Sequence, residues 1–444
     1  MTNLSTAFQT ETLELSDWIA EQAEPFDSIE SADLSPLMKR IGEARIVLIG
    51  EASHGTSEFY RMRQRITAEL IEQKGFRRIG IEGDWPDVEW VDEYVRARNP
   101  QVDRTRKAFD RFPTWMWRNR ETADFVDWLR SYNQERDASQ RVAMHGLDLY
   151  SLYQSIHAVL EYLEQQEDRG ALESVRSHYA NLLAYEPEPQ DYGRAVHFGM
   201  EHQQQEEVVA VLKHLFQQRL EAANGNWEKV FNAEQNARVV ANAEEYYRSM
   251  FRGGRESWNL RDSHMYETLQ TLLDLDEDDS KIVVWAHNSH IGDARATEMG
   301  QRGEHNIGQL AREDYGDAAY AIGFGTHTGT VAAADDWGGQ VKQKAVNESQ
   351  PGSHERTCHQ SGHPSFLLPL RPVRQNDIDF GEALERAIGV IYRPQSELVS
   401  HYFDARLEAQ FDEYVWFDFS HAVTPLSQEV APEFPAHHPF LKID

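Results

Sequence analysis

The chain has 444 residues, 40% hydrophobic and 11% aromatic, enough apolar material for one large core or two ordinary ones. Asp and Glu number 74 against 44 Lys and Arg, and the net charge of -30 argues against nucleic acid and anionic membranes as partners. No apolar run approaches the roughly 18 residues of a membrane span, and the single cysteine, Cys358, excludes an intramolecular disulfide and a tetrathiolate metal site.

Residues 1–34 are polar and acidic, with one amphipathic patch around Leu13–Ile19, and read as an N-terminal arm or cap. They lack the basic and apolar regions of a secretory signal, so a soluble, cytoplasmic protein is expected. Arg45–Asp84 then reads as strand, loop, helix and strand. Ile46–Ile49 is an apolar run ended by Gly50, suited to a strand buried on both faces of a parallel sheet. Glu51 and His54 follow it, and a helix begins at Thr56 or Ser57, either of which can cap it. At about 100° per residue, Phe59, Met62, Ile66 and Leu70 share one stripe, whereas Glu58, Arg61, Arg65, Glu69 and Glu72 lie outside it. Arg63 falls inside the stripe. A guanidinium there either snorkels past the sheet edge or is buried against acceptors, with Glu51 and Glu82 the obvious candidates. Ile79–Ile81 is the next strand, followed at once by Glu82 and Asp84.

Trp85-Pro86 interrupts the chain, Val88–Val95 resumes a helical pattern, and Arg96–Lys107 is a charged connection. Phe109–Trp128 is rich in aromatics that either fill a core or line a cleft. Arg141–Met144 is a third strand candidate, ended by His145 and Asp148. From Leu149 to Leu275 the period changes to about 3.6, with Leu152, Ile156, Val159, Leu160 and Leu163 in one stripe. Val208–Phe216 and Val230–Tyr247 give further helices, joined by connectors at Glu186–Tyr192 and Asn224–Asn226. His157, His178, His197, His202 and His214 are scattered through this block and read as surface or core residues. Asn259, Arg261 and Asp262 form a dense polar set at the start of the next helix, either a site element or a surface ion pair.

Lys281–Ala286 is a buried-strand candidate followed by His287 and His290. Tyr320–Gly325 is another, which Val331–Asp336 extends as a hairpin. Val346–His363 reads as a loop whose His354, Cys358, His359 and His363 are ligand types at loose spacing, a weak zinc signal. Ile388–Ile391 and Tyr414–Phe419 read as the last strands, before a Pro-rich tail over Pro425–Asp444. The expected fold class is α/β, a central, mostly parallel sheet flanked by helices with a large all-helical insertion. Its parts are an arm over 1–34, a core built from 35–148 and 281–444, and the insertion over 149–280.

In one parallel sheet, Glu51, His54, Glu82, Asp84, His145, Asp148, His287 and His290 would gather at one rim, beyond the carboxyl ends of the strands. There is no G-x-S-x-G elbow, no G-x-G-x-x-G or Walker loop and no H-E-x-x-H helix, which removes the common serine, nucleotide and zincin chemistries. Two mechanisms remain. In one, His54 is a general base that activates water against an ester or lactone carbonyl, oriented by Glu51 or Glu82, with Arg63 and His287 or His290 stabilising the oxyanion. In the other, the same His and Glu residues hold a catalytic metal. A third reading, of another class, is a pocket that binds a small molecule without turnover.

The motifs GEASHGTSEF at 50–59, Arg63, Glu82 and AHNSHI at 286–291 resemble the erythromycin esterase family, over roughly residues 40–440. The stretches FPTWMWRNRE at 112–121 and GTVAAADDWGG at 329–339 look more like its uncharacterised, succinoglycan-biosynthesis-like branch than its macrolide-resistance enzymes. The resemblance implies a hydrolase of carboxylic esters or lactones, with antibiotic resistance among the family's roles. It implies His54 as the base and Glu51, Arg63, Glu82, His287 and His290 as its catalytic support, with no covalent intermediate, no metal and no cofactor. Asp84, His145, Asp148, Asn259, Arg261 and Asp262 are expected to bind the small-molecule substrate; an N-x-R-D stretch comparable to 259–262 occurs in the family. Metal-dependent and haem-binding proteins among the wider relatives of the fold keep the metal reading open.

Overall fold

The computed structural model describes residues 15–97, 108–166, 169–221, 227–275, 280–376 and 379–426. The segments expected as the outer part of the N-terminal arm (1–14), most of the charged connection (98–107), the connector at 224–226 and most of the Pro-rich tail (427–444) lie outside them. Eleven strands form among the described residues. They are β1 Glu24–Pro25, β2 Ile46–Ile49, β3 Arg78–Asp84, β4 Ala143–Asp148, β5 Ile282–Trp285, β6 Ala319–Ala333, β7 Lys342–Val346, β8 Ser365–Pro369, β9 Ala383–Arg386, β10 Tyr402–Ala405 and β11 Glu413–Ser420.

The main sheet has the order β1-β8-β11-β6-β2-β5-β3-β4, with β7 against β6, while β9 and β10 make a separate antiparallel pair. β2 pairs parallel with β5 and β6, and β6 pairs parallel with β11, so the centre of the sheet is parallel; β8 closes on β11 antiparallel. This is the expected α/β architecture. Contacts divide the chain into two compact units: the described residues of Met1–Gly80, Glu93–Ala143 and Leu272–Asp444 form one, and those of Ile81–Asp92 and Met144–Thr271 the other.

In the first unit, every residue of β2 and of β5 is buried, as continuous Ile, Val, Leu and Trp runs in a doubly covered sheet require. The helix Ser57–Lys74 buries Phe59, Met62, Ile66 and Leu70, each contributing roughly 1.5–3 kcal/mol, together with Arg63. Thr56 takes the N-cap position but its hydroxyl bonds to Ser53, and Gly75, at φ 73°, ends the helix in the left-handed conformation glycine adopts without strain.

In the second unit the long-period stripe packs as read: Leu152, Ile156, Val159 and Leu163 are buried in one cluster with Tyr179, Tyr192, Val208, Val211, Leu215 and Val240, and Leu160 packs at its edge. Helices run over Leu152–Gln165, Arg169–Leu183, Pro189–His197, Gln205–Glu221, Trp227–Ser249 and, continuing past the unit's last residue, Gly254–Leu273. The connector expected over Glu186–Tyr192 is shorter, because Pro189 starts a helix at a position where its missing N–H costs nothing.

Four further boundaries differ from the sequence reading. β3 and β4 run on through Glu82, Asp84, His145 and Asp148, so these polar residues end the strands rather than follow them. β6 continues from Ala319 to Ala333 because it is paired on both sides, with β7 completing the hairpin. The 346–363 stretch contains a helix, His354–Gln360, capped by the Ser353 side chain on the Arg356 N–H. Ile388–Ile391 makes only isolated bridges, Ile388 to Ser53 and Ile391 to Ala334.

Candidate active site

The loop after β2 is fixed before any chemistry begins. Gly55 approaches β6 so closely that a Cβ there would stand 2.0 Å from the Ala332 carbonyl oxygen, so only glycine fits. Its own carbonyl accepts from Ala332 and Val423. On the far side of the loop, Ile388 donates to the Ala52 carbonyl at 2.9 Å, and the Asn288 N–H donates to the Glu51 carbonyl at 2.8 Å, which ties the loops after β2 and β5 together.

Within this frame Glu51 is fully buried and divides its carboxylate between two partners. Oε1 lies 2.8 Å from His54 Nδ1, and Oε2 lies 2.8 Å from Arg63 Nη2. A carboxylate only accepts, so His54 Nδ1 carries a proton, and in the neutral ring Nε2 keeps its lone pair. Arg63 is completely buried rather than snorkelling. Its guanidinium carbon lies 4.3 Å from the Tyr60 ring centroid, 5.1 Å from that of Trp285 and 5.7 Å from that of Trp117, an aromatic cage closed on one side by Glu51. Trp117 belongs to the aromatic stretch with two readings, and here it lines the core around Arg63. The Tyr60 hydroxyl donates to the His54 and Met116 carbonyls, which holds the cage to the loop.

His287 follows β5 as the N-cap of the short helix Asn288–Ile291, and its Nδ1 accepts from the Ser289 N–H at 3.2 Å and from the Ser289 hydroxyl at 2.9 Å. Its neutral ring therefore carries the proton at Nε2, the opposite tautomer to His54. The two ring centroids are 5.0 Å apart. His290 is buried on the same turn, with its N–H on the His287 carbonyl. Glu51, His54, Arg63 and His287 are thus brought together, and of the two carboxylates expected to orient His54 it is Glu51 that bonds to it.

The second unit holds a polar cluster built on Arg261. Arg261 reaches Asp148 through Nε at 2.9 Å and Nη2 at 2.6 Å, and Glu82 through Nη2 at 2.7 Å. It also lies 4.9 Å from the Tyr150 ring centroid. Burial opposes the Arg261 charge, but Asp148, Tyr150 and Glu82 outweigh it and hold the guanidinium protonated far above its usual range. The surface ion pair of Arg261 with Asp262 is thereby corrected: Arg261 binds across to the ends of β3 and β4, and Asp262 is fully buried. His145 stacks on Trp85 at 5.6 Å, Gly146 packs on the Asp84 backbone, and Asn259 is half-buried.

The residues of the weak zinc signal point different ways. His354 bonds to the Ala405 carbonyl, His359 stacks on His327 at 3.7 Å and bonds to Asp418, and His363 bonds to the Ala20 carbonyl. Cys358 lies on a helix, not a loop, and burial pushes its thiol well above the ordinary range. Among the described residues no three His, Cys, Asp or Glu side chains are gathered to hold a metal ion, and no helix is long and apolar enough to cross a membrane.

The model of the erythromycin esterase family matches residues 71–420. The chain belongs to this family. Glu51, His54 and Arg63 lie upstream of the matched span, so their placement rests on the geometry above. Over 430 residues the chain is 21% identical to erythromycin esterase type II of Escherichia coli, covering 86% of this chain and 98% of the relative. Among solved structures it is similar to a succinoglycan biosynthesis protein, with a TM-score of 0.75 and 21% identity over 93% of this chain and 98% of that one. It is also similar to a mutant of the erythromycin esterase EreC in its open conformation, with a TM-score of 0.64 and 17% identity over 90% and 98%. These likenesses match the fold, and the family supports a hydrolase in the broad sense.

Sequence reasoning missed the cage residues Tyr60 and Trp285, and Asn288 as the link between the two loops. Trp285 carried a signal, since it ends a strand whose successor is His287. Asn288 carried none beyond its place between two histidines.

Proposed function

We propose that the chain hydrolyses carboxylic esters or lactones by direct attack of water, without a covalent intermediate. The observation that carries this is the pair of imidazoles 5.0 Å apart with opposite tautomers, His54 offering a lone pair and His287 a proton. Water gives its proton to His54 Nε2 as its oxygen bonds to the carbonyl carbon. Glu51 stabilises the imidazolium that forms, as the carboxylate of a catalytic triad does. The carbonyl oxygen gains charge and accepts from His287 Nε2. The intermediate then expels the alcohol oxygen, which takes the proton from His54, leaving acid and alcohol.

Arg63, being wholly buried, acts through Glu51 and does not touch the oxyanion. The test is a mass-spectrometric screen of esters, lactones and macrolides for the gain of one water. A gain that disappears in His54→Gln supports the reading, and a gain that His54→Gln retains rejects it.

A further inference from the structure

The stretches 112–121 and 329–339 meet in the fold of the first unit. The centroids of the Phe112 and Trp337 rings lie 4.9 Å apart, and Phe112 meets Trp115 edge-on at 5.2 Å. Trp115 is buried, Phe112 half-buried and Trp337 62% exposed, so the trio runs outward from the core and ends on an open indole. An indole in water keeps a large apolar face hydrated, and covering that face with another ring is favourable.

Both strands of this trio are tied to the loop that carries His54. Trp337 follows β6, whose Ala332 donates to the Gly55 carbonyl at 3.0 Å. The chain from Ala332 to Trp337 spans at most about 18 Å. The short helix Thr114–Trp117 supplies Trp115 to the trio and Trp117 to the Arg63 cage. Between them, the Met116 carbonyl accepts from the Tyr60 hydroxyl that also holds the His54 carbonyl. The open indole thus stands within the length of an extended substrate from the proposed base.

The turn that presents the indole is braced and its charges are balanced. Asp335 accepts from Lys344 at 2.6 Å and from Lys342, and Asp336 accepts from Arg393 at 2.5 Å. Arg393 also donates to the Asp335 carbonyl at 3.1 Å, and the Gly339 N–H to the Asp336 carbonyl at 3.0 Å. A ring held in place before binding loses little freedom on stacking. With both neighbouring carboxylates paired to cations, the face favours an uncharged partner over an ammonium.

We propose that Trp337, backed by Phe112, is a specificity residue that stacks on an uncharged aromatic ring carried by the part of the ester remote from the reacting carbonyl. The proposal rests on the hydrolase reading for its link to turnover.

The test uses methyl esters of phenyl-capped alkanoic acids of increasing chain length, each beside the alkanoate ester of matched length. In wild type, kcat/KM for the phenyl-capped ester relative to its match should peak at one chain length, with the gain in KM, as binding energy from a remote group acts. Trp337→Ala should lower that ratio by roughly 10-fold at the peak, the scale of one lost ring stack with its burial, and Trp337→Phe should restore most of it. A ratio that Trp337→Ala leaves unchanged, or a higher peak with trimethylammonium-capped esters, overturns the proposal.

Binding without turnover separates this proposal from the hydrolase reading. In saturation-transfer NMR on His54→Gln, the phenyl protons of these esters should receive magnetisation from the protein, and much less in His54→Gln combined with Trp337→Ala. Trp337-dependent contact with no turnover by wild type keeps the proposal of a ring site and rejects the hydrolase reading. Turnover with ring contact indifferent to Trp337 rejects this proposal alone, and no ring contact from any of the esters rejects it as well.

Discussion

Glu51 and His54, three residues apart on the loop after β2, meet through Oε1 and Nδ1 at 2.8 Å, and this contact decides which nitrogen of His54 is free to accept a proton. The other carboxylate oxygen of Glu51 is held by Arg63, so a buried cation, a buried anion and the proposed base form one chain. Each member constrains the next.

Removing either end of the buried ion pair should be costly, because the partner's charge is then left uncompensated. Arg63→Met and Glu51→Gln should each lower stability by about 3–5 kcal/mol. The double variant should be destabilised by less than the sum, by at least ~1 kcal/mol, because neither charge remains. Urea denaturation of the four proteins checks this, and additive losses would mean that the contact is not energetically coupled.

Arg261 should not tolerate lysine. The ammonium is a point donor and cannot keep both the two-nitrogen grip on Asp148 and the bond to Glu82. Arg261→Lys should cost about 2–4 kcal/mol, the worth of one or two charge-assisted bonds. Amide hydrogen exchange over 144–148 and 254–271 should accelerate; unchanged protection would show that the cluster contributes nothing to that unit.

Acid should unfold the protein through its buried histidines. Burial holds His354 down to about 4 and His264 down to about 3. The unfolded chain therefore binds more protons than the folded one between the lowered values and about 6.5, and stability falls as pH drops through that window. His354→Gln, keeping a donor for the Ala405 carbonyl, should flatten the loss by up to roughly 3 kcal/mol at pH 4. Unfolding midpoints between pH 7 and pH 4 that fall equally in both proteins would contradict the assignment.

The parts of the fold legible in the sequence are those where local pattern and tertiary position agree. β2, the stripe of the helix after it and the stripe at Leu152–Leu163 were readable because burial repeats at the period of the element. Arg63 stood out by interrupting its stripe, and the cage of Tyr60, Trp117 and Trp285 explains how a guanidinium is accommodated there. The helix His354–Gln360 was hidden because its sequence, HERTCHQ, has no apolar stripe, although four of its residues are buried by contacts distant in the chain. Glu385 was hidden for a related reason. It sits in an ordinary-looking ALER strand, and its partner, Gln410, is brought to it only by the completed fold.

The central claim, that His54 is a base because Glu51 holds its proton at Nδ1, can be tested without any substrate by nitrogen NMR of the imidazoles at pH 8. The account predicts His54 with its proton on Nδ1 and His287 with its proton on Nε2, and a loss of the His54 preference in Glu51→Gln. A His54 protonated at Nε2 in the wild-type protein would contradict it.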